Sequence, residues 1–469
     1  MTHEIWRESA LGLAARIRAG ELSSAEVVDA HLDRIGAVNG DLNAVVRVLA
    51  DEAREAAARA DAARADGRPM GPFHGVPFTV KENIDVAGTA TTNGVPALAE
   101  AIAAIDAPVV HRMRAAGAIP IGRTNLPDFG LRIHTDSSLH GLTRNPWNPG
   151  VTAGGSSGGE ASAIASGMSP IGLGNDIGGS LRNPAHCCGI ASIKPTTGVV
   201  PSATVVPPLD KSISSQLMLV EGVLARHVAD VRAGLLAVAG VDSRDAVSLP
   251  VRLSDIPTDR PLRIALLPEP PGGSVDSGIA AGVRAAGDVL SDLGHDVSET
   301  IPPDYERSLE LWAQLLGGDL RTLKPLLDLV MGEGGRRFVE LTDVITADSD
   351  LAGWTMVHTE RNAVAQAWAE FFTRFDAIVC PVWTQPAFAH DADIVDDAGA
   401  RDTLALLRPV LTPNLLGLPA AVVPAGIFNG MPVGVQIIGD RFHDLACLSI
   451  AALIEQNVGV FTPIDPVTA

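Results

Sequence analysis

AGGSSGGEASAIASGMSPIGLGNDIGGSLRNP, residues 153–184, is the stretch whose reading decides both the fold and the chemistry. Two Gly/Ser clusters flank a small-residue helical run and a short apolar strand. Glycine lets the backbone turn at positive φ and lets another group approach it closely. Serine offers a hydroxyl that becomes a nucleophile only with a base beside it. Three readings compete for this pattern. A phosphate loop requires GxxxxGK[ST], whereas Glu160 follows Gly158 and Gly159 here, with the wrong charge to face a phosphate. An elbow of the G-x-S-x-G type fits Gly154, Ser156 and Gly158, yet it needs an Asp and a His later in the chain. The third reading is a serine hydrolase whose base is not histidine. Either cluster alone reads as an ordinary loop.

Working outward, short apolar runs at 76–80, 118–122 and 171–174 are bounded by Gly, Pro and Asn and read as buried strands. Helical stretches at 108–116 and 160–166 lie between them. A further strand–helix–strand unit is expected at 262–267, 279–293 and 296–297. Residues 305–375 read as largely helical, and strands return at 377–380, 420–423 and 434–438. The first 70 residues read as helices, one opened by a Ser23/Glu26 capping box with Leu22 and Val27 as its staple. Strands alternating with helices predict an α/β fold around a mixed, mainly parallel sheet. No repeat or clean linker interrupts the chain, so residues 1–469 read as one large domain.

An upstream lysine joins the two serines. Gly75-Val-Pro-Phe-Thr-Val-Lys-Glu-Asn83 puts Lys81 at the end of an apolar strand, where a lone lysine would ordinarily snorkel to solvent. GVPFTVKEN, GGSSGGE and DIGGSLRNP occur in this order, with Lys81, Ser156 and Ser180 at their centres. In motifs, order and spacing the chain resembles the amidase signature family. Segments around Gly122–Asn125, Pro146–Pro149, Cys188–Thr196, Asn414–Pro419, Val423–Gly426 and Pro432–Gly439 are similar to family patterns too. Residues 1–70 are the N-terminal helices, 71–245 the signature core, 246–410 the divergent pocket region and 411–469 the C-terminal core strands.

The resemblance implies Ser180 as nucleophile, Ser156 as a bridge behind a cis Gly155–Ser156 peptide, and Lys81 as base. It further implies an oxyanion hole from the backbone N–H groups of Ile177, Gly178, Gly179 and Ser180. Asp176 and Arg182 flank that hole, in a positioning role or as a simple salt bridge. Leu131 and Gly154 are candidate substrate contacts. A lysine at its reference pKa of ~10.4 is charged and useless as a base, so burial or a neighbouring charge must depress it. Phe78 and Val80 beside Lys81 are consistent with burial. None of the 12 histidines has a place in this scheme; His134, His140 and His186 read as structural.

The expected reaction is cleavage of a carbon–nitrogen acyl bond in a small hydrophobic amide or anilide, without metal or cofactor. Trp312, Trp354 and Trp383 would suit an aryl or acyl group, although core packing explains each singly. A carbamate hydrolase with the same triad is the alternative within this chemistry. A glutamyl-tRNA amidotransferase subunit is the alternative of another class, disfavoured by a single tyrosine in the chain. A membrane-associated lipid-amide hydrolase lacks an anchor here, and intact triad positions disfavour a catalytically dead binding protein.

Composition narrows the partners. The 35 Lys and Arg against 55 Asp and Glu give a formal charge of −20, a surface that repels phosphate backbones, so no nucleic-acid partner is expected. No run of ~18 apolar residues occurs and the N-terminus is broken by charges, so neither a membrane span nor a signal peptide is expected and the location reads as cytoplasmic. Cys187, Cys188, Cys380 and Cys447 form no CxxC and read as reduced, apolar packing residues. Monomer and homodimer are equally compatible with the sequence.

Overall fold

The strands are β1 (Val45–Val48), β2 (Pro77–Lys81), β3 (Ile119–Thr124), β4 (Asp136–Ser137), β5 (Gly141–Leu142), β6 (Ile171–Asp176), β7 (Ala191–Lys194), β8 (Val220–Ala225), β9 (Arg263–Leu266), β10 (Asp296–Glu299), β11 (Ala377–Pro381), β12 (Ala420–Phe428) and β13 (Met431–Ile438). They are seen in a computed structural model that describes residues 4–207, 209–257, 260–345 and 350–468. Eleven of them form one sheet in the order β1-β3-β2-β6-β8-β7-β12-β13-β11-β9-β10, and β4 and β5 pair separately. The fold is α/β around a mixed sheet. Parallel pairing holds on the two wings, β3-β2-β6 and β11-β9-β10, where helices supply the crossovers. The centre, from β6 through β8, β7, β12 and β13 to β11, is antiparallel.

Period-two alternation sorts these strands between two cores. Phe78 and Val80, Ile171 and Leu173, and Ala421 and Val423 enter one apolar cluster. Ala420, Val422, Ile378 and Cys380 enter the other, together with the helices of 305–374. The same alternation turns Thr79 and Lys81 away from the side taken by Phe78 and Val80. Apolar residues therefore bury the strand while its polar residues face the site.

The expected helices at the N-terminus are Ala10–Ala19, Ser24–Leu42 and Ala50–Ala65. Ser23 and Glu26 form the expected capping box, with Glu26 N donating to Ser23 Oγ at 3.1 Å. β1 was not expected between them; its four residues carry too little pattern, and pairing with β3, some 75 residues on, makes it a strand. β8 was likewise missed, as a buried central strand lacks polar alternation. The helical region consists of Tyr305–Val330, Glu333–Ile345 and Leu351–Arg374. All four cysteines are buried and free. Among the described residues no helix is long and apolar enough to cross a membrane.

Candidate active site

β2 and β6 are adjacent and parallel, with Thr79 opposite Gly172 and Val80 opposite Leu173. Their C-terminal ends therefore lie side by side, and from them come Lys81 and the turn carrying Ser180. Such carboxyl ends, next to a change in strand direction, are where open sheets leave room for a ligand. Ser156 arrives from the loop preceding the helix Gly158–Ala165. Its Oγ accepts from Lys81 Nζ at 2.7 Å, and the Gly155–Ser156 peptide is cis. Gly130 must be a glycine here: its φ is +69° and a Cβ would sit 3.1 Å from Ser156 Oγ.

Lys81 is fully buried. Desolvation pulls its pKa down to about 7, against the opposing pull of the Asp176 and Glu160 carboxylates. A substantial neutral fraction at neutral pH follows. Its second hydrogen bond runs to Asn175 Oδ1 at 2.7 Å, and Asn175 Nδ2 donates to Asn83 Oδ1 at 2.9 Å. Glu160, read only as the wrong charge for a phosphate, is buried beneath the site. It accepts from Thr124 Oγ1 at 2.7 Å and from Thr79 Oγ1, and burial pushes its pKa up to about 7. Depressed lysines are not themselves diagnostic. Lys194 is also buried with its pKa pulled to about 7 by desolvation, yet it donates to the Pro195 carbonyl.

Ser180 is 6% exposed, and its carbonyl accepts from Ser157 N at 3.3 Å, which ties the two serine loops together. Asn183, buried, ties them a second time: its Nδ2 donates to the Gly155 and Gly178 carbonyls, both at 3.2 Å, while its Oδ1 accepts from Trp383 Nε1 at 2.9 Å. Asp176 and Arg182 form a fully buried ion pair. Burial opposes the charge on Asp176, but the Arg182 guanidinium outweighs it and holds the carboxyl down at about 2. Asp176 also accepts from Gly179 N at 2.7 Å and Leu181 N at 3.1 Å, so it is both salt-bridge partner and clamp of the turn. This corrects one expectation. The Gly179 amide is consumed by Asp176, whereas no described residue accepts from the amides of Ile177, Gly178 or Ser180.

A cleft of about 170 Å³ opens over Ser180, lined by Leu131, Ile133, Ile177, Gly178, Trp312, Leu316 and Leu411 among others. Leu131 is among the residues that line it. The α-carbon of Gly154 packs instead on Pro184, where a Cβ would come within 2.8 Å of Pro184 Cα, so it serves a close backbone crossing. The histidines have other partners. His134 Nδ1 meets Thr152 Oγ1 at 2.9 Å, His140 Nε2 meets Glu82 at 2.6 Å, and His186 Nδ1 accepts from Gly434 N at 3.0 Å. Among the described residues no group of three or more His, Cys, Asp or Glu side chains could hold a metal ion. Asn83, Asn175 and Glu160 escaped the sequence reading although Asn83 and Glu160 lie inside its motifs and Asn175 directly precedes one. Asn83 shares the parity of Thr79 and Lys81, which was the available signal.

The chain is similar to known amide hydrolases over nearly its whole length. The family model described as Amidase matches residues 26–448. The chain is 41% identical over 466 residues to an indoleacetamide hydrolase of Bradyrhizobium diazoefficiens, covering 97% of this chain and 87% of the relative. It is 32% identical over 490 residues to the A-type subunit of a glutamyl-tRNA(Gln) amidotransferase from Salinispora arenicola, covering 97% and 98%. A crystal structure of a bacterial aryl acylamidase of the amidase signature family superposes with a TM-score of 0.81 at 27% identity, covering 97% of each chain. The chain thus belongs to the amidase signature family of hydrolases acting on amides.

Proposed function

We propose that the chain hydrolyses a small primary amide of the arylacetamide type, through an acyl-enzyme on Ser180. The observation that carries the substrate class is the cleft. Its lining is predominantly apolar, with Trp312, Leu316 and Leu411 above Ser180. At about 170 Å³ it is comparable to the ~150 Å³ cavity that holds one benzene ring. Arg132, at its edge, is already paired with Asp391 and Asp393, so it is not available to a substrate carboxylate. The relative named indoleacetamide hydrolase supports the same class. Free glutamine, the substrate that the amidotransferase reading would require, suits this lining poorly.

Neutral Lys81 takes the proton of Ser156, which takes that of Ser180, as Ser180 Oγ bonds to the amide carbonyl carbon. The oxyanion is met by the free amides of the Ile177–Ser180 turn, where one donor typically contributes ~2.7–4 kcal/mol. The proton returns through Ser156 to the amide nitrogen, the C–N bond breaks and ammonia leaves. Water, deprotonated by the same relay, then attacks the ester, releasing the carboxylate and restoring Ser180.

A substrate panel tests this reading: indole-3-acetamide, phenylacetamide, acetamide, acetanilide, a phenyl carbamate and glutamine. The arylacetamides are expected to show the highest kcat/KM. A preference for the carbamate, or glutaminase activity appearing only with added partner subunits, would overturn the assignment.

A further inference from the structure

Trp312 belongs to the helix Tyr305–Val330, outside every motif that marks the family, yet its indole lies on the turn before Ser180. Nε1 donates to the Ile177 carbonyl at 2.9 Å. A Cβ on Gly178 would stand 2.7 Å from Trp312 Cζ2 and 3.3 Å from Cη2, so the benzo edge of the ring rests on Gly178 itself. The side chain is 8% exposed, and it also lines the cleft.

The Ile177–Gly178 peptide is planar, so its C=O and N–H point in opposite directions. Holding the Ile177 carbonyl against the indole therefore aims the Gly178 amide away from the indole. That amide has no acceptor among the described residues. An indole N–H donates only, so the contact has one possible polarity. Asn183 pins the next peptide through the Gly178 carbonyl, which leaves the turn little freedom to re-aim.

We propose that Trp312 joins acyl recognition to oxyanion stabilisation. Its ring is the wall against which a flat aromatic acyl group packs, and its N–H positions the Gly178 amide toward the oxyanion. The first half rests on the arylacetamide reading above; the second holds for any substrate that acylates Ser180. Two inhibitors separate them, methylboronic acid and benzylboronic acid, which form tetrahedral adducts on a nucleophilic serine whatever the natural substrate. Trp312→Phe keeps a ring and loses the donor. It is expected to weaken both boronates about tenfold while leaving their ratio unchanged. Trp312→Leu keeps bulk and loses both features, so it should weaken both and also cut the benzyl preference about tenfold. Unchanged binding of both boronates by W312F, with unchanged kcat, would overturn the positioning half. An unchanged benzyl-to-methyl ratio in W312L would overturn the recognition half. Thermal melts establish that each variant is folded. Wild-type enzyme that binds both boronates but fails to turn over any arylacetamide would count against the substrate assignment alone.

Discussion

The signature core of 75–184 and the helical region of 305–374 meet over one serine, and they are built on opposite principles. In the core, buried polar groups dominate and nearly every one has a partner: Lys81 with Ser156 and Asn175, Glu160 with Thr79 and Thr124, Asp176 with Arg182 and two amides. In the helical region the contribution to the site is mainly an apolar surface, with Trp312, Leu316 and Leu320, beside the paired charges of Arg321 and Lys324. A polar network in a dry interior tolerates little change, since a lost partner leaves an uncompensated group. An apolar wall can be reshaped one side chain at a time at modest cost. On the proposed reading, the reacting groups come from the first region and the wall that meets the substrate comes mainly from the second.

The division breaks or sharpens under substitution. The largest effect is expected from Ser180→Ala and Lys81→Met, each lowering kcat by about 10⁴-fold or more in a stopped assay while the circular-dichroism melt stays cooperative. A variant of either kind with wild-type turnover would end the assignment. Asp176→Asn removes the charge that the buried Arg182 guanidinium faces and replaces one of the two oxygens that accept from Gly179 N and Leu181 N, so one of those amides loses its partner. About 3–5 kcal/mol of stability should be lost in urea titration, together with much of kcat.

The pH profile is a subtler probe. Lys81 must be neutral to act as base, so kcat/KM should rise with pH through its depressed pKa of about 7 and level off above it. The Glu160 carboxylate favours protonated Lys81. Glu160→Gln should therefore shift that acid limb to lower pH; a shift upward would contradict the electrostatics. The smallest effect belongs to the helical region. Leu316→Ala should raise KM for phenylacetamide several-fold, by roughly the ~1–2 kcal/mol of lost apolar contact, with kcat for acetamide unchanged.

Much of this was legible in the chain itself. Strands β2, β3, β6, β9, β11 and β13 lay within a few residues of where their apolar runs placed them. The motif spacing brought Lys81 and Ser156 to hydrogen-bonding distance. Failures came where pattern carries no information. β1 and β8 depend on ladder partners distant in sequence. Gly179 was read as an oxyanion donor because nothing local shows that Asp176, three residues earlier, takes its amide. Gly154 was assigned to the substrate because a glycine needed for chain crossing looks like one needed for ligand approach.

By itself, then, the sequence determined the α/β class, the membership of Lys81, Ser156 and Ser180 in one set of motifs, and the alternation that turns Lys81 off the apolar side of β2. Those are local properties of periodicity, residue chemistry and order. Only the tertiary structure decided the burial of Lys81, which amides of the Ser180 turn remain free, and that Trp312, 135 positions from Ile177, bonds the Ile177 carbonyl. Desolvation and hydrogen-bond partnership depend on which groups fold into the same small volume, and no stretch of sequence contains its own surroundings.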